Sequence, residues 1–508
     1  MEYAVEMRNI TKAFGDKAAN NGVNLGICNG EILALLGENG SGKTTLMNML
    51  SGIYYPDEGQ VFVRGKEVTI RSPKDALDLG IGMIHQHFKL VDVFSAAENI
   101  ILGMNEQRSM DRKKIAAKVR EICDRYGFHI DPNEKVYNMS VSQKQTLEII
   151  KVLYRGADIL ILDEPTAVLT PQETEKLFDV IRNMRADGKS IVIITHKLNE
   201  VMEVSDRVAV LRKGYNAGEV LTRDTTPQQL TEMMVGHAVS LNIQREEPAY
   251  SETWLKVEHL SVRNSDGLMA LKDVSFTARG GEILGVAGIS GSGQKELLET
   301  IAGLQHAEPG SSVTYHSPEG KESQLIGMKP LDIQRLGVHM SFVPEDRLGM
   351  GLVGSMGMSD NMMLKSYRNG KGLFTERKQP RDLASNIRDE LGVVTPSLNT
   401  PVRKLSGGNV QKVLVGREIA LAPNVLMMAY AVRGLDINTS YVIYNLLAEQ
   451  KRKGVAVIYV GEDLDVLLEL CDRILVLCGG VANEIADART TTKDSIGYSM
   501  TYLKEGRA

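Results

Sequence analysis

The chain has 508 residues, of which 43% are hydrophobic and 24% are charged, and its formal net charge is −5. A single hydrophobic core stops growing near roughly 250 to 300 residues, so this length predicts at least two domains. The composition is globular, and the lack of a basic excess argues against a protein held mainly by nucleic-acid phosphates.

The N-terminal stretch MEYAVEMRNITKAFG contains no basic segment followed by an apolar one, which predicts no signal peptide and a chain that stays inside the cell. The longest apolar runs, such as VLMMAYAV at 425–432, are far shorter than the roughly 18 to 20 residues of a membrane-spanning helix. Any association with a membrane is therefore expected at its surface.

The cysteines show neither CxxC spacing nor a neighbouring histidine cluster, which indicates neither a disulfide framework nor a zinc site. They are Cys28, Cys123, Cys471 and Cys478. We expect buried free thiols.

The chain contains an internal repeat. GEILALLGENGSGKTTLMNMLSG at 30–52 matches GEILGVAGISGSGQKELLETIAG at 281–303 without a gap, and SDRVAVL at 205–211 recurs as CDRILVL at 471–477. Each half is therefore predicted to be one copy of the same domain. The polar, proline-containing stretch 239–253 is predicted to be a linker, which gives domains at 1–238 and 254–508.

In the first copy, the apolar run EILALL before the glycines predicts a buried parallel strand, and TTLMNMLSG after them predicts a helix. The runs DILILD and SIVIIT predict further short strands of a parallel sheet covered on both faces. The charge-rich segment 112–127 lies between the glycine loop and those strands, and it predicts a helical insert.

The pattern GxxxxGK[ST] at 37–44 points to a phosphate-binding loop. Its glycines let backbone N–H groups face the phosphates, Lys43 reaches the β and γ oxygens, and the Thr44 hydroxyl can bind Mg²⁺. The alternative is a glycine-rich turn with a chance lysine, which the strand–loop–helix setting disfavours.

The run ILILDEPT at 159–166 predicts the rest of a hydrolytic site. Asp163, at the end of an apolar strand, would hold the water shell of the metal, and Glu164 would orient and deprotonate the attacking water. The alternative, a buried carboxylate pair with no metal, would be costly. His196 follows the next strand, where it would contact the γ-phosphate or serve only as an ordinary strand-end histidine.

GENGSGKTT, Gln86 in IHQHF, MSVSQ, ILILDEPT and ITH, in a chain with two copies of one domain, resemble the ATP-binding subunit of an ABC transporter. The similarity covers nearly all of the chain. It implies an α/β fold of two tandem P-loop NTPase domains, or ABC cassettes. Each would have a mainly parallel core sheet, a helical subdomain and an antiparallel β subdomain.

The fused double layout and the phrases SPKDALDLGIGMIHQHFKLV, FVPEDR and KLSGGN are similar to those of the carbohydrate-type importers. The resemblance is closest to the branch associated with basic membrane lipoproteins and purine nucleoside uptake, although ribose, galactose and autoinducer importers share most of these phrases. It implies two integral-membrane permease subunits as partners, an extracellular substrate-binding lipoprotein that acts through the permease, and a location on the cytoplasmic face of the membrane.

The resemblance also implies ATP and Mg²⁺ as the bound groups. The nucleotide would be held by Phe14, Gly37, Asn39, Gly40, Ser41, Gly42, Lys43, Thr44, Thr45, Gln86, Asp163, Ser406, Gly407 and Gly408. Of these, Thr44, Gln86 and Asp163 are assigned to the metal, while Lys43, Glu164 and His196 are assigned to catalysis. Phe14 would stack on adenine, with core packing as the alternative. His85 and His87 are interpreted as loop residues rather than a metal pair.

The second copy is altered at each matching position. It carries Gln294, Lys295, Ala429, Tyr430 and Glu462 where the first copy has Lys43, Thr44, Asp163, Glu164 and His196. Glu345 is interpreted as the counterpart of Gln86. The proline that would be usual before the threonine position, now Val432, is missing from AYAVRGLD, which puts the local backbone in question.

Conversely, the second copy keeps the signature LSGGN at 405–409, whereas the first has Val141 and Ser142 in place of the two glycines. Asp436 keeps the D-loop aspartate that Thr170 replaces in the first half. In the ABC family the two cassettes close head to tail, so the intact parts would meet in one working composite site. The alternative is a second half that serves only as a scaffold.

We predict an ATPase that energises uptake of a purine nucleoside, with a simple sugar or an autoinducer as alternative substrates. No nucleic-acid partner is expected. A soluble twin-cassette ATPase acting on ribosomes or DNA is the rival from another class, but such proteins have two near-consensus sites and a long charged linker. A non-catalytic nucleotide-binding regulator conflicts with the intact Lys43, Asp163 and Glu164.

Overall fold

The computed structural model describes residues 2–15, 17–85, 88–104, 112–167, 169–237, 243, 245–248, 252–289, 291–342, 351–367, 375–433, 435 and 437–503, with only the backbone for 112, 113 and 340–342. It divides into two compact units, Met1–Ser240 and Leu241–Ala508.

The strands of the first unit form two sheets. They are β1 Tyr3–Phe14, β2 Lys17–Cys28, β3 Ile32–Leu36, β4 Glu58–Val63, β5 Lys66–Val68, β6 Ile81–Ile84, β7 Ile159–Asp163, β8 Ser190–Ile194, β9 Arg207–Arg212 and β10 Tyr215–Leu221. The main sheet has the order β10–β9–β3–β8–β7–β6, and its pairs are parallel except for β9 with β10. The smaller sheet, β2–β1–β4–β5, is antiparallel. The three predicted buried strands are thus confirmed as β3, β7 and β8.

The helices of the first unit cover the main sheet and form the predicted insert. They are α1 Lys43–Leu50, α2 Pro73–Asp78, α3 Ala96–Ile101, α4 Arg112–Tyr126, α5 Val141–Tyr154, α6 Pro171–Ala186, α7 Leu198–Val204 and α8 Pro227–Val235. The helical insert is confirmed, since α3, α4 and α5 follow one another between β6 and β7. Ser95 and Ser140 begin α3 and α5 with capping boxes, in which each serine side chain accepts the N–H three residues on.

The central strands of the main sheet are buried on both faces, because β3, β7 and β8 are almost entirely apolar. Leu33, Ile161 and Val192 pack with α1 and the antiparallel sheet in one core cluster. Leu160 and Ile193 point to the other face and join the cluster that holds α5 and α6. This double burial explains the continuous apolar runs in the sequence.

The second unit repeats this architecture. Its strands are β11 Thr253–Arg263, β12 Met269–Arg279, β13 Ile283–Gly288, β14 Ser312–His316, β15 Glu322–Gln324, β16 Val338–Phe342, β17 Val425–Ala429, β18 Ala456–Val460, β19 Arg473–Cys478 and β20 Val481–Asp487. They form an antiparallel sheet, β12–β11–β14–β15, and a six-stranded sheet, β16–β17–β18–β13–β19–β20. The longest apolar run of the sequence includes β17, a short strand of that sheet.

The helices of the second unit are α9 Gln294–Ile301, α10 Pro330–Arg335, α11 Met358–Ser366, α12 Lys378–Glu390, α13 Gly407–Ala420, α14 Ile437–Arg452, α15 Leu464–Leu470 and α16 Lys493–Thr501. Helices α11, α12 and α13 lie between β16 and β17 and share a separate apolar cluster. They form the helical subdomain of this unit. Within the described residues, no helix has the length and apolarity needed to cross a membrane.

Part of the stretch predicted as a linker packs on the second unit. Ile243 is buried in its core, and the Arg245 guanidinium donates to the backbone carbonyls of Leu468 and Cys471. Lys451 Nζ also donates to the carbonyl of Glu246, at 2.8 Å. Residues 238–242, 244 and 249–251 lie outside the described residues.

The four cysteines are all buried and form no disulfide, as the sequence predicts. Burial raises the pKa of Cys28, Cys123, Cys471 and Cys478 above the ordinary value of a thiol. The raised pKa favours the neutral thiol at each position.

One pair of charges differs in burial between the two units. Lys451 and Asp472 form an ion pair at 2.7 Å, and their side chains are only 4% and 1% exposed. Their counterparts in the repeat, Arg185 and Asp206, also pair at 2.7 Å but are 48% and 34% exposed. Removing one partner of a buried pair leaves an uncompensated charge, whereas a surface pair contributes little.

We therefore expect Lys451→Ala to destabilise the second unit by about 3 kcal/mol, since Asp472 would remain buried with only Arg489, at 3.9 Å, as an opposite charge among the described residues. Urea unfolding followed by fluorescence of Trp254, the single tryptophan of the chain, reports on this unit. The matched control is Arg185→Ala, which should lower the stability of the first unit by no more than about 1 kcal/mol, as judged by circular dichroism. Equal losses from the two substitutions would contradict this difference.

Candidate functional site

The phosphate-loop motif lies between β3 and α1, where the carboxyl ends of the parallel strands meet. Gly42, just before the helix, has φ 99°, and a Cβ there would lie 2.3 Å from the carbonyl oxygen of Ala19. A Cβ on Gly37 would lie 2.2 Å from the carbonyl oxygen of Leu211. The glycines are thus required by crowding as well as by conformation.

The first turn of α1 begins without a side-chain cap. Its backbone N–H groups at the helix N-terminus therefore suit an anion, with the helix dipole favouring negative charge there. The loop is held from outside by Asn20, whose Nδ2 donates to the Gly42 carbonyl at 3.3 Å, and by the Gly214 N–H, which donates to the Ser41 carbonyl at 3.1 Å.

Lys43 is buried, and its ammonium lies inside the loop. Its Nζ donates to the carbonyls of Gly37 at 2.7 Å and Glu38 at 3.0 Å. Burial lowers the pKa of Lys43, against the opposing attraction of Glu164 and Asp163. The site thus holds a desolvated cation among carboxylates and carbonyl oxygens.

The two acidic residues at the end of β7 have different environments. Burial, and then the neighbouring Glu164, raises the pKa of Asp163 to about 6, against the lowering effect of the Thr44 hydroxyl. Burial also acts to raise the pKa of Glu164, but the hydrogen bond and charge of His196 outweigh it and leave this pKa below its usual value. His196 Nδ1 lies 2.9 Å from Glu164 Oε1.

Glu164 has an unusual backbone conformation for a residue with a side chain. Its φ is 47°, in the left-handed region, and its N–H donates to the carbonyl of Ile194 at the end of β8, at 2.8 Å. Such a conformation costs of order 1 to 2 kcal/mol and is typical of functional sites. It aims the carboxylate toward the loop that follows the neighbouring strand.

The residues of the loop and of β7 line one open cleft with an empty volume of about 500 Å³. Its lining consists of Asn39, Gly40, Gly42, Lys43, Thr44, Thr45, Asp163, Glu164 and Ile194. The structure therefore brings most of the predicted first-half residues together. Gln86 and His87 lie outside the described residues, as do Glu345 and Asp436. His85 is half-buried, and burial lowers its pKa.

A buried polar network behind the cleft was missed by the sequence analysis. Thr166 Oγ1 lies 2.6 and 2.7 Å from the two carboxylate oxygens of Glu200, and Lys197 pairs with Glu200 at 3.0 Å. Thr195 Oγ1 donates to the same carboxylate at 3.4 Å. The network joins the loop after β7 to the start of α7, and so holds Glu164 and His196 in place.

Phe14 ends β1 and is 48% exposed, so the core-packing alternative for this residue is wrong. Its ring meets the ring of Tyr54 at a centroid distance of 5.2 Å and an interplanar angle of 70°. Thr170, which replaces the usual D-loop aspartate, begins α6 with a capping box shared with Glu173. That local role accounts for a threonine at this position.

The oxygen donors at the end of β7 fit Mg²⁺. Asp163 is a buried carboxylate, and its neighbours Glu164 and Thr44 add hard oxygen atoms. The described residues hold no cluster of three or more histidine, cysteine or acidic side chains suited to a metal. Mg²⁺ usually takes one or two protein ligands and completes its shell from phosphates and water, so this donor set is sufficient.

The second unit keeps the backbone of the site but not its chemistry. Gly293 has φ 98°, close to the value at Gly42, and Gln294 turns inward as Lys43 does, with Nε2 donating to the Ile289 carbonyl at 3.1 Å. Lys295, at the Thr44 position, lies 3.8 Å from Glu299. The buried ammonium of the first unit is thus replaced by a neutral amide.

The loop after β17 likewise keeps the backbone conformation of its counterpart after β7. Tyr430, at the Glu164 position, has φ 53°, and its N–H donates to the Val460 carbonyl at 2.9 Å. Burial raises the pKa of its phenol. Val432 and Val466 replace Thr166 and Glu200, and both pack against an apolar cluster. The missing proline before Val432 therefore does not alter this turn, since Tyr430 keeps the backbone conformation and hydrogen bond of Glu164.

The two signature segments both begin helices. Ser406 precedes α13, and its Oγ accepts from the Asn409 N–H, with Gly407 and Gly408 in the first helical turn. In the first unit Ser140 precedes α5 in the same way, but Val141 follows it with its side chain 44% exposed. The difference between the signatures is thus one of side-chain bulk on the same helix start.

A family model described as ABC transporter matches residues 20–167 and 271–428 of the chain. The guanosine import ATP-binding protein NupO of Bacillus subtilis is 42% identical over 517 residues, which cover 100% of each chain. The nucleoside import ATP-binding protein NupA of Lactococcus lactis subsp. cremoris is 41% identical over 504 residues, which cover 98% of each. The glucose import ATP-binding protein TsgD13 of Haloferax volcanii is 38% identical and covers 98% of this chain and 95% of its own. Because these matches extend through both units, the chain belongs to the ABC transporter family, in which it is an ATPase with two fused ATP-binding cassettes.

Proposed function

We propose that this ATPase hydrolyses MgATP at its first cassette and thereby energises the import of a purine nucleoside. The observation that carries the catalytic part is the cleft where Lys43, Asp163 and Glu164 converge with His196 behind them. The names of the relatives at 41% and 42% identity support the nucleoside, while the glucose importer at 38% keeps a sugar as the alternative.

Each residue of the first cleft has a role in this proposal. The loop N–H groups and Lys43 bind the β and γ phosphates, and the low pKa of Glu164 leaves it ionised, ready to accept a proton from the attacking water. His196 orients that carboxylate and faces the γ-phosphate. Thr44, Asp163 and Gln86 would hold Mg²⁺, which neutralises charge on the β and γ phosphates.

We further propose that Ser406, Gly407 and Gly408 complete this site from the second cassette. Support comes from the sorting of the alterations: the first cassette keeps its loop and acidic pair, and the second keeps the glycine signature. A glycine turn lets the backbone approach a phosphate, whereas the exposed Val141 of the first cassette would obstruct it. One of the two composite sites would then be competent.

The proposed partners follow from the import function. Two integral-membrane permease subunits would carry the substrate, and an extracellular lipoprotein would deliver it to them. The ATPase would bind the permease at the cytoplasmic face of the membrane, as a peripheral protein. The choice of substrate would rest with the lipoprotein and the permease, because in this proposal it is they that bind the substrate.

Glu164→Gln should lower steady-state ATPase activity of the assembled transporter about 10²- to 10⁴-fold, because it removes the general base. The matched control is Tyr430→Phe, at the same left-handed position of the second cassette. Loss of that phenolic oxygen should leave turnover unchanged. A comparable fall in both variants would show that the second loop takes part in hydrolysis.

Exchanging the two signature turns should have opposite consequences in the two cassettes. Gly407→Val with Gly408→Ser installs the first cassette's side chains in the second, and we expect a loss of at least about tenfold in ATPase rate, since backbone donors to the phosphate would be displaced. Val141→Gly with Ser142→Gly is the reciprocal control and should change the rate little. The swap should leave both helices folded, because α5 already begins with the bulkier pair. The reverse pattern would contradict the proposed crossover.

Deleting the gene should abolish uptake of labelled purine nucleosides and spare uptake of labelled ribose. Complementation with the wild-type chain should restore nucleoside uptake, while complementation with Glu164→Gln should not. A deletion strain that loses only sugar uptake would overturn the substrate proposal and leave the ATPase assignment intact.

A further inference from the structure

The first cassette carries an aromatic pair at the tip of the hairpin formed by β1 and β2. The Phe14 and Tyr54 rings meet at 5.2 Å with a 70° angle between their planes, and both side chains are partly exposed, at 48% and 36%. The contact is edge-on, which is a favourable geometry for two aromatic rings. Lys12 Nζ lies 5.8 Å from the centroid of the Phe14 ring, near the outer limit of a cation–π contact.

The Phe14 end of this pair belongs to the hairpin that contacts the phosphate loop. Phe14 is paired with Lys17 across the hairpin of β1 and β2. Three residues further along β2, Asn20 donates to the carbonyl of Gly42. The ring therefore lies at the tip of the hairpin whose second strand contacts the loop, which suits contact with the base of a nucleotide held there.

The Tyr54 end is held by the other end of the loop helix. The N–H groups of Ile53 and Tyr54 both donate to the Asn48 carbonyl in the last turn of α1, at 2.9 and 3.1 Å. Asp57 then fastens this segment to β1, since its carboxylate accepts from Lys12 Nζ at 2.7 Å and from the Ala13 N–H at 2.8 Å. Tyr54 is thus placed against Phe14 by contacts on both sides.

Among the described residues, the matching positions of the second cassette hold no such pair. Asn264 follows the matching strand, β11, and its Oδ1 accepts from the N–H groups of Asp266 and Leu268 in its own turn. Gln305 stands at the Tyr54 position and donates to the Arg263 carbonyl. The second cassette keeps an acidic residue at the Asp57 position, Glu308, which pairs with Arg263 at 3.2 Å. The aromatic rings are thus replaced in the cassette that lacks the loop lysine.

We propose that Tyr54 is a positioning residue for base recognition, which sets the plane of the Phe14 ring so that it stacks on the purine of ATP. This rests on the proposed function, in which the first cassette binds ATP. Phe14 is half exposed, and the ring contact with Tyr54 restricts the rotation of its side chain. Without that contact, the free chain would have to order the Phe14 ring on binding, and the affinity for ATP would fall.

The test is a calorimetric titration of the full-length chain in a Glu164→Gln background, which prevents hydrolysis during the measurement. Tyr54→Ala should weaken MgATP binding about three- to tenfold, the range expected for loss of one aromatic pair. Its affinity for magnesium tripolyphosphate, which has the phosphates but no base, should be unchanged. Tyr54→Phe keeps the ring and should restore the affinity for MgATP.

Two controls isolate the ring contact. Tyr55→Ala removes the neighbouring tyrosine, which is 52% exposed and makes no ring contact among the described residues, and it should leave both affinities unchanged. In a Phe14→Ala background, Tyr54→Ala should cause no further loss, because it acts through Phe14. In a Lys43→Ala variant, any MgATP binding that remains measures the nucleotide bound outside the first cassette.

Unchanged MgATP affinity in Tyr54→Ala would overturn the inference while leaving the proposed function intact. Equal weakening of MgATP and tripolyphosphate would also overturn it, since the substitution would then have disturbed the loop itself. A loss that adds fully to that of Phe14→Ala would do the same. If the Glu164→Gln chain with Tyr54 intact did not bind MgATP, the proposed function itself would be contradicted.

Discussion

The buried ammonium of Lys43 and the two carboxylates at the end of β7 depend on one another. Any one of these charges would be costly to bury alone, and together they offset part of that cost. This arrangement requires β3 and β7 to be the two neighbours of β8 in the main sheet. Their carboxyl ends then lie at the same cleft. The glycine loop, the left-handed turn at Glu164 and the sheet order together place these three groups at that cleft.

The second cassette shows that the backbone of such a site can persist after its charges are removed. Tyr430 keeps the left-handed conformation of Glu164, and Gln294 keeps the inward direction of Lys43. The supporting polar pair was exchanged as a unit for Val432 and Val466. A half-satisfied buried network is worse than an apolar one, so replacing both partners is the physically consistent change.

Local features of both cassettes could be predicted from the sequence. The strand–loop–helix around Lys43 and the strand before Asp163 are encoded by continuous apolar runs and by glycines at fixed spacing. The Thr166–Glu200 network could not be predicted, because its members are 34 residues apart and belong to no periodic pattern. The one available signal was the repeat itself, in which both residues change to valine. The Phe14–Tyr54 contact likewise joins two segments that the sequence keeps apart.

The sequence by itself determined the number of cassettes, the order of their motifs and the loss of the loop lysine from the second cassette. Each of these features is encoded by residues that are adjacent in the chain. Only the tertiary structure decided which charges are buried. Arg185 and Lys451 occupy matching positions of the repeat and each faces an aspartate, yet one pair is solvated and the other is enclosed. Whether a charged side chain is buried depends on which distant segments pack over it. Here the backbone carbonyl of Glu246 accepts a hydrogen bond from Lys451. No local sequence pattern predicts this burial, because Glu246 and Lys451 are more than 200 positions apart in the chain.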